Sequence, residues 1–196
     1  MNREKWLSEC ISALRPVFRE AGQPVPRKVR ASCSWPSKSA LAKHRKRIGE
    51  AWCSKQSADG SFEVFISPLL DDPIEVAAVL VHELVHCAVG IDQKHGKRFG
   101  ALARAVGLKG RMTDTTASDE LKATLKGITK GIGKYPHAQL DYSNAPKTQT
   151  TRMKKLECAD CGYTVRTTQK WLEVGLPVCP CGTTLNPPDL EEPEGE

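Results

Sequence analysis

The chain has 196 residues, a formal net charge of +6, 39% hydrophobic and 27% charged residues, which is the composition of a globular protein with room for one core and one small satellite. No apolar run approaches the roughly 20 residues of a membrane-crossing helix, and the opening Met1-Asn2-Arg3-Glu4-Lys5-Trp6 leads into an amphipathic pattern without an apolar signal segment, so neither a membrane partner nor secretion is expected. Four of the eight cysteines are scattered and four fall in two tight late pairs, a metal-ligand spacing that suits a reducing, cytoplasmic location.

In chain order, Trp6, Leu7, Cys10, Ile11 and Leu14 recur at helical spacing, which predicts a helix over 2–20, bent or broken at Pro16. Val29, Ala31 and Cys33 alternate as a strand does. Ala51-Trp52-Cys53, the turn signal Asp59-Gly60 and Phe62-Glu63-Val64-Phe65-Ile66 read as a β-hairpin. Asp72 before Pro73, with Glu75 three positions on, is a helix start, and Gly90 is a natural stop, so a helix is expected over 73–89. It is apolar nearly all round and therefore buried. Helical spacing returns over 97–106 and from Asp119 to Ile128. The reading is α+β: a first domain over 1–142, a polar linker over 143–155, a cysteine-rich unit over 156–185 and an acidic, disordered tail over 186–196. Five acids sit at 189–196, so the remainder is more basic than the net charge suggests and suited to polyanions.

The buried helix carries His82-Glu83-Leu84-Val85-His86. Histidines four apart emerge from one helix face and can meet one zinc ion. Glu83 between them is placed to act as general base, taking a proton from the attacking water and passing it to a leaving amine. Two core histidines satisfied by hydrogen bonds are the bland alternative, and a costly one to bury. A catalytic zinc takes three protein ligands. His95, after the Gly90 stop and a short reversal, is the preferred third, with Asp92 its rival. An extended substrate pairing with a sheet edge is expected, with 62–67 as the candidate edge. Tyr135, His137 and Tyr142 are candidates for oxyanion stabilisation.

These residues, with His95-Gly96-Lys97-Arg98-Phe99 and the late cysteine pairs, resemble the SprT family of zinc metallopeptidases, which includes the Spartan proteases of DNA-protein crosslink repair. The likeness runs from about Val29 to Gly182. It implies a zincin-like core, zinc ligation by His82, His86 and His95, Glu83 as general base, a protein or peptide substrate, and protease action coupled to DNA.

Cys158, Cys161, Cys179 and Cys181 supply four thiolates for a structural zinc ribbon, although one residue rather than two separates the second pair. A redox pair is the rival reading. Arg166, Lys154, Lys155 and Trp171 around it could contact phosphates and stack on unpaired bases, which favours single-stranded DNA. Arg45, Lys46 and Arg47 form a second basic run. The competing reading makes these solvated faces, with Trp171 the core of the small unit.

Overall fold

A computed structural model describes residues 1–42, 46–141 and 153–186. Arg45, Tyr142, the segment 143–152 and the tail from 187 lie outside the described residues. The chain divides into two compact units, Met1–Ser143 and Asn144–Glu196, and the arrangement is α+β.

Helix α1 (Arg3–Glu20) starts where the Asn2 side chain accepts from the Lys5 amide at 2.8 Å. It buries Trp6, Leu7, Cys10, Ile11, Leu14 and Phe18. It is not broken at Pro16 but continues through it as one element. Pro16 lies on the exposed face, so the carbonyl it deprives of a donor can turn to water, while Leu14 and Phe18 hold the opposite face on the core.

Strands β1 (Val29–Cys33), β2 (Gly49–Trp52) and β3 (Phe62–Ile66) form a sheet in the order β1-β3-β2. β2 and β3 are antiparallel, as a hairpin requires, and β1 pairs with β3 in parallel. The expected edge strand, 62–67, is therefore central, in keeping with the complete burial of Val64 and Ile66. The edges are β1 and β2. Ser67 donates its amide to the Ile48 carbonyl at 2.9 Å. Because antiparallel pairing alternates along a strand, residues 48, 50 and 52 face β3, and the backbone groups of Gly49 and Ala51 point away from the sheet.

Helix α2 (Pro73–Val89) is capped by the Asp72 side chain, which accepts from Ile74 and Glu75. Its residues Val76, Ala77, Leu80, Val81, Leu84 and Val85 are wholly buried, packed between the sheet and the remaining helices, α3 (Lys97–Ala105) and α4 (Asp119–Ile132). α4 runs four residues beyond the expected Ile128, to Ile132, and Trp6 donates to the carbonyl of the following Gly133 at 2.8 Å. Between α3 and α4 lies an unforeseen hairpin, β4 (Leu108–Arg111) and β5 (Asp114–Ala117).

In the second unit β6 (Met153–Glu157) pairs with β7 (Thr164–Thr168), followed by the short α5 (Gln169–Val174). β6 begins inside the segment read as linker. Leu156, Leu185, Cys158 and Cys179 make the core, with Val165 and Leu172 against it. Among the described residues no helix is long and apolar enough to cross a membrane.

Candidate metal centre and catalytic cleft

α2 presents His82 and His86 one turn apart, with ring centroids separated by 5.2 Å. His95 joins them from the turn that follows. Gly90 ends α2 at φ 98°, its amide donating to the His86 carbonyl at 3.0 Å. A 3-10 turn over Ile91–Gln93 then reverses the chain, and Lys94, at φ 46° and ψ −129°, delivers His95 to the helix. That conformation is sparsely populated by residues other than glycine. Asp92, the rival ligand, accepts from the Gln93 side chain at 2.8 Å and is not part of the histidine group.

The Nε2 atom of His95 lies 3.3 Å from that of His82 and 3.2 Å from that of His86. Tetrahedral ligands at zinc–nitrogen distances of about 2.0–2.1 Å stand about 3.3 Å apart, so the spacing fits a metal of that size. Burial lowers the His82 pKa to about 4 and that of His86 to about 3, with neighbouring imidazoles adding to the effect, and it lowers His95 too. Neutral rings leave lone pairs free for a cation. Phe99, fully buried on α3, packs under all three rings at centroid distances of 5.0, 4.4 and 4.9 Å.

The other nitrogen of His82, Nδ1, lies 2.8 Å from Thr115 Oγ1 on β5. With Nδ1 donating to the hydroxyl, Nε2 carries the lone pair. His86 Nδ1 is buried without a partner among the described residues. Glu83 is 6% exposed. Burial pushes its carboxyl up to about 8, against the opposing effects of the Arg47 charge and the Ala51 amide.

The histidines and Glu83 open into a cleft of about 1460 Å³, walled on one side by residues 46–52 and on the other by Arg111 and residues 113–117. Lys46 and Arg47 thus lie at this cleft, where Arg47 pairs with Glu50 at 2.5 Å. Glu50 in turn accepts from the Ser37 amide and hydroxyl at 2.8 and 2.7 Å. Two oxyanion candidates are elsewhere. Tyr135 is buried edge-on against Trp6 at 4.9 Å, and His137 Nε2 bonds the Pro68 carbonyl at 2.9 Å.

In the second unit Sγ of Cys158 lies 3.5 Å from that of Cys181, and Cys161 Sγ lies 3.3 Å from that of Cys179. All four sulfurs lie within 4.8 Å of one another. These are non-bonded separations, against about 2.05 Å in a disulfide, and the cluster suits one ion held by four thiolates. The shorter second pair still makes a knuckle because its turn closes earlier. Gly162 donates to the Cys158 carbonyl four residues back, whereas Gly182 donates to that of Cys179 three residues back. Hydrogen bonding with Thr183 draws the Cys181 thiol down to about 6.

Lys155 and Arg166 are register partners on the exposed face of this hairpin, and Lys154 lies on the other face. Trp171 is 58% exposed, with the Lys170 ammonium 5.3 Å from its ring centre, so it is not the core of the unit. Of the remaining cysteines, Cys10 and Cys87 are buried, and burial raises both thiols, that of Cys10 to about 12. Such thiols are poor redox sensors. Comparison of the chain with protein-family models, with curated proteins and with solved structures finds no match.

Proposed function

We propose that the chain is a zinc-dependent endopeptidase of the SprT type, with a zincin-like first unit, acting on proteins associated with DNA. The observation that carries this reading is the convergence of three neutral imidazoles at 3.2–3.3 Å beside a buried carboxylate, in an open cleft. A structural site needs no cleft, whereas a catalytic one keeps a position for water and substrate.

His82, His86 and His95 would hold the ion, which supplies Lewis acidity toward the attacking water and the scissile carbonyl. Glu83 accepts the proton of the attacking water and returns it to the leaving amine. The burial that raises its pKa makes the ionised carboxylate a stronger base toward that water. A substrate segment lies extended along β2, pairing with the outward backbone groups of Gly49 and the outward carbonyl of Ala51, whose amide faces Glu83. In the second unit, exposed Trp171 beside Lys170, with Lys155 and Arg166 on one face, offers stacking and phosphate contacts for single-stranded DNA.

The test compares zinc content and cleavage of a DNA-bound protein, with and without DNA, in wild type, His82→Ala/His86→Ala and Glu83→Gln. Two zinc ions falling to one in the double variant, and cleavage lost in Glu83→Gln with both ions kept, support the reading. Equal zinc in wild type and the double variant, with no Glu83-dependent cleavage, leaves a nucleic-acid-binding protein with a structural core. Salt-sensitive binding of single-stranded DNA that weakens in Trp171→Ala and Arg166→Ala supports the DNA assignment.

A further inference from the structure

Gly49 is the first residue of β2 and pairs with Ile66 of β3, a place where a residue without a side chain weakens a strand. Its backbone gives no reason for glycine, since it is not among the residues with positive φ. The reason is spatial. A Cβ at position 49 would lie 2.4 Å from Glu83 Oε1, 3.0 Å from Glu83 Cδ and 2.6 Å from Val79 Cγ1. The Glu83 carboxylate occupies the volume that any other residue at 49 would fill.

We infer that Gly49 is a positioning residue for the Glu83 carboxylate: its missing side chain is the seat in which the carboxylate rests, against the strand that walls the cleft. This rests on the reading of Glu83 as the general base. Neither side of the contact can readily give way. β2 is held to β3 by antiparallel pairing over 49–52, and α2 is fixed by its buried apolar face. Val79, one turn before Glu83 on the same helix, blocks the second direction of escape. A methyl group at 49 therefore displaces the carboxylate itself, the part of the contact that ends in a rotatable side chain. The neighbouring outward amide of Ala51, which also acts on the carboxylate, would be lost as a partner by the same displacement. A general base moved by about an ångström loses its hydrogen-bond geometry to the attacking water.

The experiment is a pair of double-variant cycles. Gly49→Ala is expected to keep both metal ions and to lower kcat at least tenfold, with KM changed less than threefold. The same substitution in a Glu83→Asp background, where the shorter side chain leaves room for the methyl, is expected to cost less than threefold relative to Glu83→Asp alone. Thermal unfolding of the metal-free protein supplies a readout independent of turnover: Gly49→Ala lowers Tm, and Glu83→Ala removes most of that loss. An equal cost of Gly49→Ala in every Glu83 background overturns the inference, as does relief of the Tm loss by Val79→Ala but not by Glu83→Ala. Should the wild type prove inactive toward peptide bonds, the proposed function fails, while the Tm cycle still decides whether Glu83 occupies the Gly49 seat.

Discussion

Replacing Thr115 with valine removes the one described partner of a candidate ligand's second nitrogen and keeps the side chain's shape. In the folded protein His82 Nδ1 meets Thr115 Oγ1 at 2.8 Å, and metal binding through Nε2 requires the proton to stay on Nδ1. Without the hydroxyl, that N–H is left in a half-buried site lacking an acceptor, at a cost of about 1–3 kcal/mol. In the metal-free protein the ring can shift its proton or rotate, so the cost falls chiefly on the bound state. Partners that orient metal-binding histidines are worth about 10–100-fold in affinity, and about 1.4 kcal/mol corresponds to tenfold. Competition with a chromophoric chelator should show zinc held about 10–100-fold more weakly at the histidine site in Thr115→Val, with near-normal affinity in Thr115→Ser. Thr115→Val affinity within twofold of wild type would refute the assignment of Thr115 as the partner that sets the His82 tautomer.

Phe99→Ala opens a void beneath all three histidine rings and should destabilise the first unit by about 3–5 kcal/mol, measurable by urea unfolding, together with loss of zinc from the histidine site. The metal-free protein should show a stability maximum near pH 6.5. Below that value the unfolded chain binds more protons, because His82 and His86 stay neutral in the fold down to about 4 and about 3, which outweighs the single proton retained on Glu83. Stability therefore rises with pH over that range. Between pH 6.5 and 8 the proton that the folded first unit keeps on Glu83 outweighs those still held by the unfolded histidines, and stability falls by less than about 1 kcal/mol per pH unit. Glu83→Gln should abolish the fall above pH 6.5 and leave the rise below it, as read from Tm in the presence of chelator. In the second unit Cys179→Ser should release one zinc ion and expose residues 153–186 to proteolysis, since its core holds little beyond Leu156, Leu185 and the candidate ligands Cys158 and Cys179. Retained protection without metal would contradict that.

The features legible in the sequence were local ones. α2 announces itself through its Asp72 cap, its apolar surface and its Gly90 stop, and the β2–β3 hairpin through Asp59-Gly60 between two apolar runs. Thr115, Gly49 and the strand order depend on what lies opposite in space. β4 and β5 escape notice because only Leu108 and Ala117 of their residues are buried, too few for an alternating pattern. The signal for them was Gly110 and the threonine-rich stretch Thr113 to Thr116. The parallel return of β1 beside β3 has no local signature at all, and it is what moved the edge from 62–67 to 49–52. The continuation of α1 through Pro16 was hidden for a related reason: which face of a helix a proline occupies depends on what the helix packs against.

The outward edge of β2 consists of a glycine and an alanine. Neighbouring strands recognise one another largely through side chains on a shared face, and on the face that Gly49 and Ala51 occupy these two contribute almost none, while Glu50 and Trp52 of the same strand, with Ile48 just before it, line the cleft. A chain laid beside them would be gripped by its amides and carbonyls, which every polypeptide possesses. For a protease built this way, sequence preference on that bare face is shallow, and more of the choice of target passes to whatever holds the target close. A second attachment can raise the local concentration of a target into the millimolar range without adding a contact in the cleft. Discrimination then becomes a matter of address rather than of sequence.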